Sequence, residues 1–149
     1  MPSPYQLALE ILTRRDYSQH DLEQKLKSKN CDPNEIPNAV SELKKAGYLN
    51  DARYAESFIH SRRQKGYGPA RISQELRIKG INDEIIAEAL QITDNAWFTA
   101  AHHLWNKRFK GKLPTDFKDR ARQTRFLLYR GFMREQIERI FKPIDESDC

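Results

Sequence analysis

The chain has two cysteines, four histidines and six glycines among its 149 residues, and each shortage excludes something. Cys31 stands beside a turn signal and Cys149 is the last residue, so their spacing suggests neither a disulfide framework nor a zinc site. Both read as incidental thiols. There is no glycine-rich phosphate loop, no His-Glu-x-x-His pattern, and no serine or cysteine in a nucleophile setting. His102 and His103 are sequence neighbours, turned about 100° apart on a helix, and do not make the i, i+4 pair of a helical metal site. His20 and His60 are isolated in sequence. No apolar run approaches the roughly 20 residues of a membrane span. The start, Met1-Pro2-Ser3-Pro4-Tyr5, lacks the basic and apolar stretches of a signal peptide. The expectation is a non-enzyme without cofactor, metal or membrane segment, in the reducing cytoplasm.

Charge is what the chain has in quantity. Charged residues make up 32% against a usual ~25%, only 38% is apolar, and the net charge is +5. Apolar residues recur at three- and four-residue steps, with no convincing period-two run, so the fold class expected is all-α with about nine helices. Leu7, Ala8, Ile11 and Leu12 mark a first helix; Ser18, with Asp21 at the third helical position, caps a second carrying Leu22 and Leu26. Asp32-Pro33 reads as the start of a third, with Ile36, Ala39, Val40 and Leu43 inward and a stop at Gly47. Asp51 then caps a helix with Tyr54, Ala55, Phe58 and Ile59 inward. Gly68-Pro69 opens one with Ile72 and Leu76, and Asn82 caps one with Ile85, Ile86, Ala89 and Leu90. Thr93 or Asp94 opens a seventh, with Trp97, Phe98, Ala101, Leu104, Trp105 and Phe109, broken at Lys110-Gly111-Lys112-Leu113-Pro114. The last two centre on Phe117, Phe126 and Leu127, then on Ile137, Ile140 and Phe141. Carboxylates such as Asp16, Asp21, Glu23, Asp83 and Glu84 fall where they complement helix N-termini, a structural rather than a catalytic position.

These segments repeat. Leu26, Leu76 and Leu127 each stand four residues before a stop, at Asn30, Gly80 and Gly131. Six beyond the stop comes an isoleucine (Ile36, Ile86, Ile137), and ten beyond an apolar residue (Val40, Leu90, Phe141). Upstream, Ile11, Ile59 and Leu104 each precede an arginine by four. Three three-helix units follow, placed at residues 1–50, 51–93 and 94–149, the last with the short acidic tail Asp145-Glu146-Ser147-Asp148. A unit of about fifty residues buries little alone, so an elongated tandem array with shared cores is expected.

The charge is unevenly divided. Residues 1–51 hold 7 basic and 8 acidic groups, residues 52–95 hold 7 and 6, and residues 96–149 hold 12 and 7. Before the tail, residues 96–142 carry 12 basic groups against 4 acidic ones, with Trp105, Phe109 and Tyr129 among them. Such a cluster suits phosphates or an acidic protein surface. Most of those aromatics read as core. In the middle unit, Arg62-Arg63-Gln64-Lys65-Gly66-Tyr67-Gly68-Pro69-Ala70-Arg71 sets four cations and an aromatic around a constrained turn. Tyr67 sits where no helical face needs it, and the turn reads as a contact element.

The stretch Gly47-Tyr48-Leu49-Asn50-Asp51-Ala52-Arg53-Tyr54-Ala55, then Arg62 and Arg63, Gly66-Tyr67-Gly68, Arg71-Ile72, Glu75-Leu76 and Lys79-Gly80-Ile81, resembles the signature of the bacterial RecX regulatory proteins. The likeness extends upstream through Ala8, Leu12, Arg15, Ser18, Leu22 and Lys25-Leu26. In the last unit it rests on Phe126-Leu127, Arg130-Gly131-Phe132 and Ile137, and Asn30 stands where glycine is common. The resemblance implies tandem three-helix repeats and a modulator of RecA recombinase, and the protein is expected to be a monomer. Such a modulator lies in the groove of the RecA filament on DNA and inhibits strand exchange, ATP hydrolysis and cleavage of the SOS repressor. It thus implies a place in DNA repair and homologous recombination. The contact residues expected are Arg62, Arg63, Lys65, Tyr67 and Arg71, then Lys107, Arg108, Lys110, Lys112, Arg125 and Arg130. A stand-alone DNA-binding protein acting through the basic third unit is the alternative, and a helical adaptor for an acidic protein a third.

Overall fold

The computed structural model describes residues 2–92 and 95–142. Among them are nine helices and no strand: α1 Pro4–Leu12, α2 Gln19–Ser28, α3 Ile36–Lys45, α4 Asp51–Gln64, α5 Pro69–Ile78, α6 Asp83–Leu90, α7 Asn95–Phe109, α8 Phe117–Tyr129 and α9 Arg134–Phe141. The stripes expected from periodicity are the ones buried. Leu26, Leu76 and Leu127 are fully enclosed, as are Ile36, Ile86 and Ile137 to within a few per cent. Each such leucine contributes roughly 1.5–3 kcal/mol by leaving water. The three stops share a left-handed backbone, with φ 64° at Asn30, 78° at Gly80 and 96° at Gly131. Asparagine tolerates that conformation better than most side chains do.

The described residues gather into two compact units. One joins those up to Phe58 with Glu75–Ala89; the other joins Ile59–Gln74 with those from Leu90 onward. The residues of the middle repeat are thus divided between the two, as expected of a segment too small to close a core by itself. In the first unit α1, α2 and α3 pack mutually around Ala8, Ile11, Leu22, Leu26, Ile36, Val40, Leu43 and Leu49. In the second, α7, α8 and α9 do the same around Trp97, Ala101, Trp105, Leu127, Ile137 and Phe141.

One joint occurs once in each unit. In the first, the hydroxyl of buried Ser18, the cap of α2, donates to the Lys79 carbonyl at the end of α5 (2.7 Å) and accepts from the Asp21 amide (3.2 Å). Gly80 lies so close that a Cβ there would collide with His20. In the second, the Gly68 and Ala70 amides at the start of α5 donate to the Arg130 and Gly131 carbonyls at the end of α8 (2.7 and 2.9 Å). A carbonyl-rich helix end thus meets an amide-rich helix start each time, satisfying orphan groups and opposing partial charges.

Three local expectations are corrected. Asp32 does not start α3: its carboxylate accepts from the Asn34 amide (2.9 Å) and its carbonyl from Glu35 (3.0 Å), forming a turn, and α3 begins at Ile36 with Pro37 in its first turn. Asn50, not Asp51, caps α4 by accepting from the Arg53 amide (3.0 Å), while the Asp51 carboxylate takes the Gln19 amide (2.9 Å). Phe117 is not a core residue; it is 87% exposed at the first position of α8, and Tyr129 at the last is 76% exposed. The expected opening of α7 at Thr93 or Asp94, and the acidic tail with Cys149, lie outside the described residues.

Candidate protein and nucleic-acid interface

The basic turn and the basic third repeat, far apart in sequence, meet in the second unit. Gly66 and the Tyr67 amide, which donates to the Arg62 carbonyl (3.1 Å), turn the chain out of α4. Pro69 begins α5, setting Arg71 in its first turn. The turn is pressed onto the end of α8: a Cβ on Gly68 would lie 2.5 Å from the Gly131 carbonyl, so only glycine permits this approach. Tyr67, half-buried between the two elements, becomes the centre of a cationic ring. The guanidinium carbons of Arg62 and Arg71 each lie 4.2 Å from its centroid, and that of Arg130 lies 5.6 Å away.

The cluster continues in both directions. Arg71 also stands 5.8 Å from the exposed Tyr129 ring. Arg130 and Arg108 lie 5.4 and 5.5 Å from Phe126, and Arg108 and Arg122 lie 5.7 and 5.2 Å from Phe109. Phe109 and Phe126 meet edge to face at 5.5 Å. Each cation over an aromatic face gains about 0.5–1 kcal/mol where exposed, enough to hold arginines together that would otherwise repel one another. The result is a run of guanidinium and aromatic groups able to pair with anions and stack on planar ones.

Of the eleven residues singled out from sequence, Arg62, Tyr67, Arg71, Arg108 and Arg130 join this cluster. Lys65, Lys107, Lys110, Lys112 and Arg125 are exposed in the same unit. Arg63 does not join: its guanidinium covers Trp97 at 4.2 Å, and its Nε is buried without a hydrogen bond, so it packs the interior. Arg122 and Tyr129, which the sequence places in the basic third unit but not among the contact residues, are members as well, and sequence reasoning missed Phe126. It also missed Gln123, 1% exposed at the repeat position of Leu22 and Ile72, where a polar residue breaks the pattern.

Among the described residues, two groups carry displaced proton affinities. The Arg122 hydrogen bond holds the Asp119 carboxyl below its ordinary value. Burial raises the Tyr54 hydroxyl in the first unit. Among the described residues no group of three or more His, Cys, Asp or Glu is placed to hold a metal, and no helix is long and apolar enough to cross a membrane.

Family models of the first, second and third three-helix domains of RecX match residues 5–43, 50–90 and 96–141. The regulatory protein RecX of Legionella pneumophila (strain Corby) is 40% identical over 99% of this chain and 98% of its own length. That of Pseudomonas tolaasii is 39% identical over 95% and 91%. The crystal structure of RecX from Lactobacillus salivarius superposes with a TM-score of 0.80 over 92% of this chain and 91% of that one, at 24% identity, which speaks for the fold. With three consecutive domain models matched and relatives alike over nearly their whole length, the chain belongs to the RecX family of regulatory proteins.

Proposed function

We propose that this protein is a non-catalytic, cytoplasmic, monomeric regulator of RecA. It binds the RecA–DNA filament in its groove and inhibits strand exchange, ATP hydrolysis and repressor cleavage. The observation that carries the reading is the cluster around Tyr67, which gathers motif residues (Arg62, Arg71) and a third-repeat residue (Arg130) onto one ring. Arginines held over aromatics are the groups enriched at the energetic centres of protein interfaces. The protein's relatives are regulatory proteins, which agrees with control of a partner rather than turnover of a substrate.

The experiment is RecA ATPase and three-strand exchange with rising amounts of the protein. Both activities fall as it approaches stoichiometry with RecA; unchanged rates at stoichiometric excess overturn the proposal. A second reading, direct action on DNA, is favoured by the 12 basic against 4 acidic groups of residues 96–142. Fluorescence anisotropy with DNA alone separates the two: tight binding with a steep salt slope supports the second.

A further inference from the structure

The turn between α7 and α8 starts with two left-handed residues, Lys110 and Gly111. Lys110 adopts φ 54°, a left-handed conformation where glycine or asparagine would be less strained. At the base of the turn lies Gln123, buried where the other repeats carry Leu22 and Ile72. Its Oε1 accepts from Trp105 Nε1 (2.7 Å), and its Nε2 donates to the Lys112 carbonyl (3.1 Å) and to Asp119 Oδ2 (3.3 Å). Asp119 in turn grips Arg122 through Nη2 (2.8 Å) and Nε (3.2 Å). Gln123, the buried member, thus replaces an aliphatic core residue with hydrogen bonds that lead out through Asp119 to the exposed Arg122, and what they tie down is the Lys112 carbonyl and one edge of the Arg122 guanidinium. These two, with Arg108 and Lys110, line an open cleft of about 400 Å³ in which Asp119 is the single acidic side chain.

We infer that this cleft is a preorganised clamp for a phosphate group. Lys110 and Lys112 supply mobile ammonium charges, Arg108 a planar guanidinium fork, Arg122 the guanidinium edge that Asp119 leaves uncovered, and Gln123 acts as the positioning residue that ties the turn to α8. An acidic protein surface would be served as well by a loose basic loop. A tetrahedral anion gains from cations that converge on one cleft from several positions, as Arg108, Lys110, Lys112 and Arg122 do. The inference rests on the reading of the third repeat as a contact surface and names the chemistry it grips. The anion is either a phosphodiester of nucleic acid or a free phosphate or nucleotide.

The test is amide chemical-shift mapping of the whole protein with inorganic phosphate, ATP and oligo-dT, followed by anisotropy with labelled oligo-dT. Inorganic phosphate should move the amides of residues 108–123. If oligo-dT moves the same set, the source is the nucleic-acid backbone; if only phosphate and ATP do, it is a free anion. Where oligo-dT binds, Gln123→Leu leaves charge and core volume nearly unchanged and should weaken it by about tenfold, the scale of one lost charge-assisted hydrogen bond. The double variant Lys110→Gln, Lys112→Gln should lower the salt slope by about 1 to 2. For a free-anion source, both variants should weaken phosphate in the shift titration instead. Absence of shifts at this turn with every probe overturns the clamp, and so does wild-type affinity in both variants. In the unsubstituted protein, absence of phosphate shifts with RecA inhibition present removes the clamp and leaves the regulator; absence of inhibition with shifts present does the reverse.

Discussion

Gly131 holds φ 96° with its Cα against Arg71, so a Cβ there is strained by the backbone and blocked by the neighbouring helix. Gly131→Ala should cost about 2–4 kcal/mol in urea unfolding, above the roughly 1–2 kcal/mol of a left-handed conformation alone, because the α5–α8 joint must open as well. The residue was visible in sequence as a helix stop; its contact with Arg71 was not, since the two are sixty positions apart. Asp119 offers a second check. Its carboxyl is held below the ordinary 3.8, so the stabilisation it contributes is fully present above that value and is lost as pH falls through its lower folded value. The side-chain amide signals of Gln123 should therefore stay constant from neutral pH down to about 5 and move only below about 4. Movement between pH 7 and 5 would contradict the assignment.

At the level of elements, the joint that Ser18 makes is a tertiary use of a local signal. Its spacing to Asp21 marks an N-cap, and the cap forms, but the same hydroxyl donates to the Lys79 carbonyl. Ser18→Ala should therefore cost about 2 kcal/mol in denaturant unfolding, more than the ~1 kcal/mol of a typical cap, because a carbonyl loses its partner too. A loss of only a few tenths would show that water replaces it. The helix stripes could be read from sequence because a 3.6-residue period states which face is apolar. The start of α3 and the exposure of Phe117 could not. Asp32 had two hydrogen-bonding options of similar local quality, and an aromatic at a helix start is buried only if another element covers it.

For the whole molecule, charge division located the basic surface but not its organisation. Reversing charge at Lys110 and Lys112, both exposed, should weaken binding to RecA–DNA filaments by about tenfold or more while leaving the thermal midpoint within a few degrees. Cosedimentation with the filament and a melting curve check the two halves. Retained filament binding would remove that turn from the contact surface.

The sequence by itself determined the helical class, the threefold repeat, the positions of the stops and the concentration of cations beyond residue 95. Each is a one-dimensional property: a period, a spacing, a count. Only the tertiary structure decided which cations share a ring, that Arg63 turns onto Trp97 instead, and that Gln123 is buried beneath a basic turn. The shared ring depends on Gly68 and Gly131 letting α5 and α8 approach, the other two on which helix packs over which side chain, and neither kind of meeting is written in a local pattern.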